Sequence, residues 1–396
     1  MTAPVTSEAD ACEIALGGLR AAVRRQMMSE RPLGVFLSGG VDSSALVALA
    51  AECVTHPLKT FSVGFVGADE QVLSEWPWAR IVAERYGTDH HEFVLTEAMF
   101  RERLPHAFAA MDQPTSDAIN SYWVSYAAAQ HVTVALSGTG GDELFGGYLH
   151  FRRFAAMMRV GALAKVLPGA IRSALSRGLH PAMPTRWHKA LALAGSAGRP
   201  EAVYAVVREM FPPIVASQLL REPMPTSGEL QNPRPTLSHA SPETQLSLLE
   251  LSGYLVDTQL RDIDAMSMAH GFEVRSPLLD HRLVQAVLAL PSDLKAPSQG
   301  INKRLLVDIA GLPHDLFRRP KRGFVIPWDD WLRGPLANWI ETNLAPDLIA
   351  ATGALDPQAV SNLVRTFNRR GGIMASRILS LVALSAWCRR HGVRLN

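Results

Sequence analysis

With 396 residues, 47% of them hydrophobic and 19% charged, the chain is long enough to bury a large core, as one big domain or two intimate ones. A net charge of +2 carries no global bias toward nucleic acid or an anionic membrane. Three scattered cysteines (Cys12, Cys53, Cys388) give neither metal-ligand spacing nor a disulfide framework, no run reaches the ~18 apolar residues of a membrane helix, and residues 1–10 are polar; the expectation is a soluble protein of the reducing cytoplasm.

In chain order, the spacing predicts a helix over residues 9–29, with Ile14, Leu16, Leu19, Val23 and Met27 on one face and Arg20, Arg24 and Arg25 solvated on the other. Residues 33–37 are apolar and β-prone, and 45–50 are good helix formers. Between them lies Ser38-Gly39-Gly40-Val41-Asp42-Ser43-Ser44. A strand, a glycine-rich turn and a helix in that order present the unpaired N–H groups and positive dipole end of a helix to an anion. Serine hydroxyls add donors, and Asp42 adds a hard oxygen for Mg²⁺. A bare Gly-Gly turn need do nothing but turn. The seven-residue string is far more specific, and it lacks the Gly-Lys-Ser/Thr ending of a P-loop.

Further strands are predicted over 58–65, 90–95 and 132–137, alternating with helices near 79–86 and 122–130. The alternation predicts an α/β fold with a parallel sheet, whose ligands collect at the carboxyl ends of strands. His90 and His91 invite a metal reading, but neighbours on a strand point to opposite faces. Past residue 150 the alternation stops. The expected organisation is an α/β core over 1–150, a helical insertion over 151–240, and a mainly helical part over 241–396 that completes the site, with amphipathic runs near 245–255, 282–290 and 378–387. Arg152, Arg153, Arg159, Arg172, Arg177 and Arg186 read as a solvated helix face rather than a dock for an acidic segment.

The last of these strands runs into Ser137-Gly138-Thr139-Gly140-Gly141-Asp142-Glu143-Leu144-Phe145-Gly146-Gly147-Tyr148. In a parallel sheet Asp42 and Asp142 share its carboxyl edge, where two carboxylates can hold Mg²⁺ against a triphosphate. Glu143 reads as structural.

The first string resembles the pyrophosphate loop of the ATP pyrophosphatases, which cleave ATP between its α and β phosphates. Taken with Phe61-Ser-Val-Gly-Phe65, the 137–148 loop, the run from Asp264 to Asp280 and Arg319-Pro-Lys-Arg-Gly-Phe324, in that order and at that spacing, the chain resembles the synthetase domain of class B asparagine synthetases. The β-lactam synthetases and lasso-peptide macrolactam cyclases share it. The resemblance covers residues 10–390 and implies an adenine-nucleotide alpha-hydrolase-like core. It also implies that a carboxylate attacks the α-phosphorus of ATP, pyrophosphate leaves, and an amine displaces AMP to give an amide. By the same resemblance Ser38, Gly39, Gly40, Ser43 and Ser44 hold pyrophosphate, and Asp42 and Asp142 hold Mg²⁺. Leu37, Val63, Ser137 and Gly138 line the AMP site through backbone groups, Lys321 stabilises phosphate charge, and Lys303 is a second, weaker phosphate contact.

Two departures qualify it. The family's asparagine synthetases usually carry an amino-terminal glutaminase, whereas about 35 residues precede the loop here, too few for that domain. The nitrogen is then expected from free ammonia, a separate glutaminase or carrier partner, or a substrate amine. At the acyl-site position where relatives have Glu or Tyr stands Thr139, which cannot act as a base near neutral pH. The family's acidic partner is kept as Glu273, the candidate for orienting or deprotonating the amine, with an ion pair to Arg275 or Arg261 as the structural alternative. Ala265 replaces a usually basic residue, which puts aspartate as substrate in question. The leading expectation is an amide synthetase for another carboxylate; the alternatives are an ammonia-dependent asparagine synthetase and a nucleotide-binding subunit without chemistry of its own. A tRNA-thiolating relative is disfavoured by the absence of a spaced cysteine pair.

Overall fold

The computed structural model describes residues 7–66, 72–73, 75–177, 185–222, 239–295, 300–319, 326–370 and 375–395. The chain divides into two compact units. Met1–Asp112, Asp117–Tyr148 and Thr258–Pro327 form the first; Gln113–Ser116, Leu149–Asp257 and Trp328–Asn396 form the second.

The first unit is α/β. Its strands are β1 (Leu33–Phe36), β2 (Lys59–Val66), β3 (Val72–Leu73), β4 (Asp89–Leu95), β5 (Val134–Leu136) and β6 (Glu273–Arg275). Five of them run parallel in the order β4-β2-β1-β5-β6, and the short β3 pairs antiparallel with the end of β2. From β1 the chain steps outward to β2 and β4, then returns to place β5 on the other flank of β1. Registers Val35↔Leu136 and Phe36↔Phe61 set the carboxyl ends of β1 and β5 side by side. Such a reversal opens the crevice in which doubly wound sheets bind ligands. The strand β6 is absent from the sequence reading: three residues carry too little alternation to register as a strand.

Helices α1 (Glu8–Gln26), α2 (Val41–Ala51), α3 (Trp76–Tyr86) and α5 (Ala118–Ala128) match predicted helices, and α4 (Glu97–Ala109) is a further one that the sequence reading did not give. In α1 the buried face is Ala11, Ala15, Leu19, Ala22 and Val23, while Ile14 is 42% exposed, against expectation. Small residues decide that face, because Gly18 lies close under Leu283 of the helix His281–Leu288 and a large side chain would hold the two apart. Arg25 is not simply solvated; it pairs with Asp280 at 2.6 Å. Helix α2 is buried from Ser43 to Ala50, with no polar stripe, as befits an element at the centre of its unit.

The second unit is helical, and among its described residues there is no strand, only an isolated bridge between Leu220 and Leu355. Prolines open several of its helices, among them Pro200–Arg208, Pro213–Leu219 and Pro242–Ser252. At a first helical position the missing N–H of proline would have had no partner anyway. Arg152, Arg153 and Arg159 are exposed on Phe151–Leu163, which supports the solvated-face reading. At the centre of this unit Glu250 is wholly buried. Arg208 reaches it through Nε (3.0 Å) and Nη2 (2.5 Å), His150 Nε2 lies at 2.7 Å, and the Tyr204 hydroxyl donates at 3.2 Å. Among the described residues no helix is long and apolar enough to cross a membrane.

Candidate active site

The turn after β1 is shaped by Gly39, whose φ of +77° is left-handed. A Cβ there would also sit 2.8 Å from the Ala79 nitrogen and the Trp78 Cβ, so glycine is required twice over. The loop is braced by its own serines. Ser43 Oγ accepts from the Ser38 N–H at 3.2 Å and donates to the Gly40 carbonyl at 3.2 Å, while Ser38 Oγ accepts from the Gly40 N–H at 3.3 Å. Gly40 caps α2 without a side chain, which keeps the first turn of the helix open to an anion. Ser38 is exposed, whereas Ser44 is fully buried and its hydroxyl has no hydrogen-bond partner among the described residues.

The turn after β5 lies against the first. Ser137 is tied to β6 through its N–H to the Arg275 carbonyl at 2.8 Å, and its hydroxyl lies 2.8 Å from Thr139 Oγ1. A Cβ on Gly138 would meet the Asp42 Cβ at 2.8 Å, and one on Gly141 would overlap the Asp42 carboxylate. Asp42 is therefore packed into the backbone of the second loop, with no room for any side chain on its glycines. Asp142 opens the short helix α6 (Gly141–Leu144) beside it.

Between the two carboxylates sits Lys303. Its Nζ is 2.5 Å from Asp42 Oδ2 and 2.6 Å from Asp142 Oδ1, on a side chain only 2% exposed. Burial alone would push the ammonium pKa down, yet it is raised, because Asp142 and Asp42 together outweigh desolvation. Without the lysine, two like charges separated by the ~5 Å that one ammonium can span would repel by on the order of 3 kcal/mol at an effective dielectric of about 20. Lys303 holds a left-handed backbone conformation (φ 55°, ψ 43°), and the preceding Asn302 donates to the Gly147 carbonyl at 2.8 Å. The sequence reading gave Lys303 as a second, weaker phosphate contact; in the structure it bridges Asp42 and Asp142.

Glu143 is 1% exposed and accepts from the Tyr148 hydroxyl at 2.6 Å, itself contacted by Gln259 at 3.2 Å. Burial pushes its carboxyl up to about 6, with the Tyr148 hydrogen bond pulling the other way. Glu273 lies at the first residue of β6, in register with Val134, and not at the carboxyl rim. Its half-exposed carboxylate pairs with Arg275 Nε at 2.7 Å. That geometry favours the structural alternative for Glu273. Leu37 has both backbone groups engaged: its N–H donates to the Phe61 carbonyl at 2.8 Å, and its carbonyl accepts from the Ser62 hydroxyl. Val63 lies on β2 beyond the last residue that pairs with β1, alongside Phe93 of β4. Lys321 lies outside the described residues.

One neighbour of the loop went unread in the sequence. Arg319 donates to the Gly39 carbonyl at 3.0 Å and to Glu75 at 3.1 Å, and its guanidinium stacks on Trp78 at 4.4 Å. It opens the very run quoted for Lys321, but 280 residues separate it from Gly39, and nothing in the sequence marks the contact. His90 and His91 do face opposite ways. His90 bonds Thr60 at 2.8 Å, while His91 stacks on Phe61 and lies tilted against His131.

Among the described residues no group of three or more His, Cys, Asp or Glu could hold a metal. The donor set at the rim is two hard carboxylates with glycine backbone around them. It suits Mg²⁺, which binds through one or two carboxylates and completes its octahedron with water and substrate phosphates.

The chain matches the family described as asparagine synthase over residues 16–389. It is 31% identical over 339 residues to glutamine-hydrolyzing asparagine synthetase 1 of Bacillus subtilis, an alignment covering 80% of this chain and 50% of the relative. Glutamine-hydrolyzing asparagine synthetase 3 of the same organism is 28% identical over 363 residues, covering 87% and 53%. The enzyme of that title from Gallus gallus is 25% identical over 318 residues, covering 76% and 41%. The chain thus spans about half the length of the curated relatives it matches, and it belongs to the asparagine synthase family.

Proposed function

We propose that the chain is an ATP-dependent, AMP- and pyrophosphate-forming amide synthetase. A carboxylate oxygen attacks the α-phosphorus of ATP, the bond from that phosphorus to the bridging oxygen breaks, and pyrophosphate leaves. An amine then attacks the acyl carbon of the adenylate, gives up a proton, and AMP departs with the electron pair of the acyl–oxygen bond. The observation that carries the reading is the meeting of Asp42, Lys303 and Asp142 where two glycine-lined turns close on one rim of the parallel sheet. Such chemistry is mostly positioning and charge neutralisation.

In this reading the loop from Ser38 to Ser43 and the first turn of α2 hold the departing pyrophosphate. Lys303 supplies positive charge to the phosphates, joined by Lys321. Asp42 and Asp142 would hold Mg²⁺, which when bound neutralises the developing phosphate charge. Leu37, Val63, Ser137 and Gly138 line the nucleotide side, and Thr139 borders the acyl group. Because Thr139 cannot take a proton near neutral pH and Glu273 is bound to Arg275, the amine is expected to reach the site largely neutral or to lose its proton to water or phosphate.

A second reading, amidation of aspartate with ammonia or partner-supplied nitrogen, draws on the likeness to asparagine synthetases. Pyrophosphate release across a panel of carboxylates, with mass spectrometry of the acyl-adenylate, separates the two. The first reading expects a carboxylate other than aspartate to drive release. Turnover with aspartate plus ammonium, and with nothing else, would establish the second.

A further inference from the structure

We propose that Lys303 is a place-holder for the divalent cation. Its ammonium occupies the position between Asp42 and Asp142, and the metal enters only as that ammonium is displaced toward the phosphates. This rests on the reading of Asp42 and Asp142 as the metal pair.

One nitrogen bridges an oxygen of each carboxylate at 2.5 and 2.6 Å, in a position almost closed to solvent. The lysine reaches it from a left-handed backbone conformation that a residue with a Cβ seldom adopts, and such conformations persist where the surroundings hold them. Two contacts do the holding. Asn302 anchors the segment to the Gly147 carbonyl, and the backbone of Gly147 packs so closely on the Lys303 and Asp142 side chains that a Cβ there would overlap both. A Mg²⁺ ion needs carboxylate oxygens at about 2.0–2.1 Å and cannot share that space with an ammonium of like charge. A polyphosphate supplies what the displaced lysine then lacks, an anion. Metal and polyphosphate should therefore bind with positive coupling, equal in both directions.

The test is electron paramagnetic resonance of free Mn²⁺ titrated into the full chain, without nucleotide, for the unmodified protein and Lys303→Met. The expected result is binding at least tenfold tighter in the variant, and a smaller gain on adding pyrophosphate than in the unmodified protein. Binding that is equal or weaker in Lys303→Met would overturn the place-holder while leaving the metal pair standing. No bound Mn²⁺ in either protein, with or without pyrophosphate, would overturn both. Should Lys303→Met fail to fold, amine-labelling mass spectrometry of the unmodified protein decides. Lys303 should be protected without metal and label several-fold faster with saturating Mn²⁺ alone, an effect absent in Asp42→Asn. Unchanged protection would overturn the proposal.

Discussion

In the helical unit one carboxylate, Glu250, is met by an arginine, a histidine and a tyrosine; in the sheet unit two carboxylates, Asp42 and Asp142, share one lysine. Both clusters are buried, and both obey the rule that a charge leaves water only if it is paired. They differ in what remains. Around Glu250 the donors equal or exceed the charge, and Arg208 is further stacked on Tyr254 at 3.9 Å. At Lys303 one ammonium contacts both carboxylates, and the surrounding wall is glycine backbone. A saturated cluster fixes a fold. A cluster walled by glycine backbone lets phosphates approach closely.

The largest expected effect separates the two on chemistry. Asp42→Asn should lower pyrophosphate-forming turnover by about 10³-fold, the loss typical of removing a group aimed at developing charge, while circular dichroism shows a folded chain. Near-normal turnover would remove Asp42 from the site. Next comes stability. Glu250→Ala strands Arg208 without its counter-charge and should cost about 3 kcal/mol or more in chemical denaturation. A shift within experimental error would mean that the cluster is incidental.

Arg319→Ala is expected to be milder. Losing the Gly39 carbonyl and Glu75 contacts should raise KM for ATP by roughly tenfold, about 1.4 kcal/mol, with kcat within a few-fold. A fall in kcat alone would argue for a role in the chemistry instead. The smallest effect belongs to neither cluster and sets their background. His270 is held neutral, its pKa pushed down to about 4 by burial and by His106, among Tyr122 and Tyr126. Between that value and the ~6.5 of an unfolded histidine, the unfolded chain binds a proton that the folded chain refuses. Stability should therefore fall as pH drops from about 6.5 toward 4, by about 1–2 kcal/mol once the partial exposure of the ring is allowed for. Thermal unfolding of His270→Phe across that range should show a shallower slope than the parent.

Much of this was legible beforehand for a physical reason. Strings such as Ser38–Ser44 and Ser137–Tyr148 announce themselves because glycine, serine and aspartate between a strand and a helix have few structural uses in that order. The parallel sheet followed from alternation over long, apolar runs. Three things were not legible. The strand Glu273–Arg275 is too short to show a period, so its place beside β5, and with it the distance of Glu273 from the rim, emerged only in three dimensions. The buried face of α1 is mostly alanine, with Gly18 close under Leu283, a packing constraint that a hydrophobicity pattern ranks below Ile14. Lys303 stands more than 150 residues from either aspartate, in a stretch with no distinguishing composition, and its weight comes wholly from whom it meets.

The central claim is that the acid's oxygen attacks the innermost phosphorus of ATP. With a substrate carboxylate labelled in both oxygens with ¹⁸O, mass spectrometry of the nucleotide product tests it directly. The account predicts AMP carrying one ¹⁸O atom and unlabelled pyrophosphate; ADP with labelled orthophosphate, or AMP without label, would contradict it.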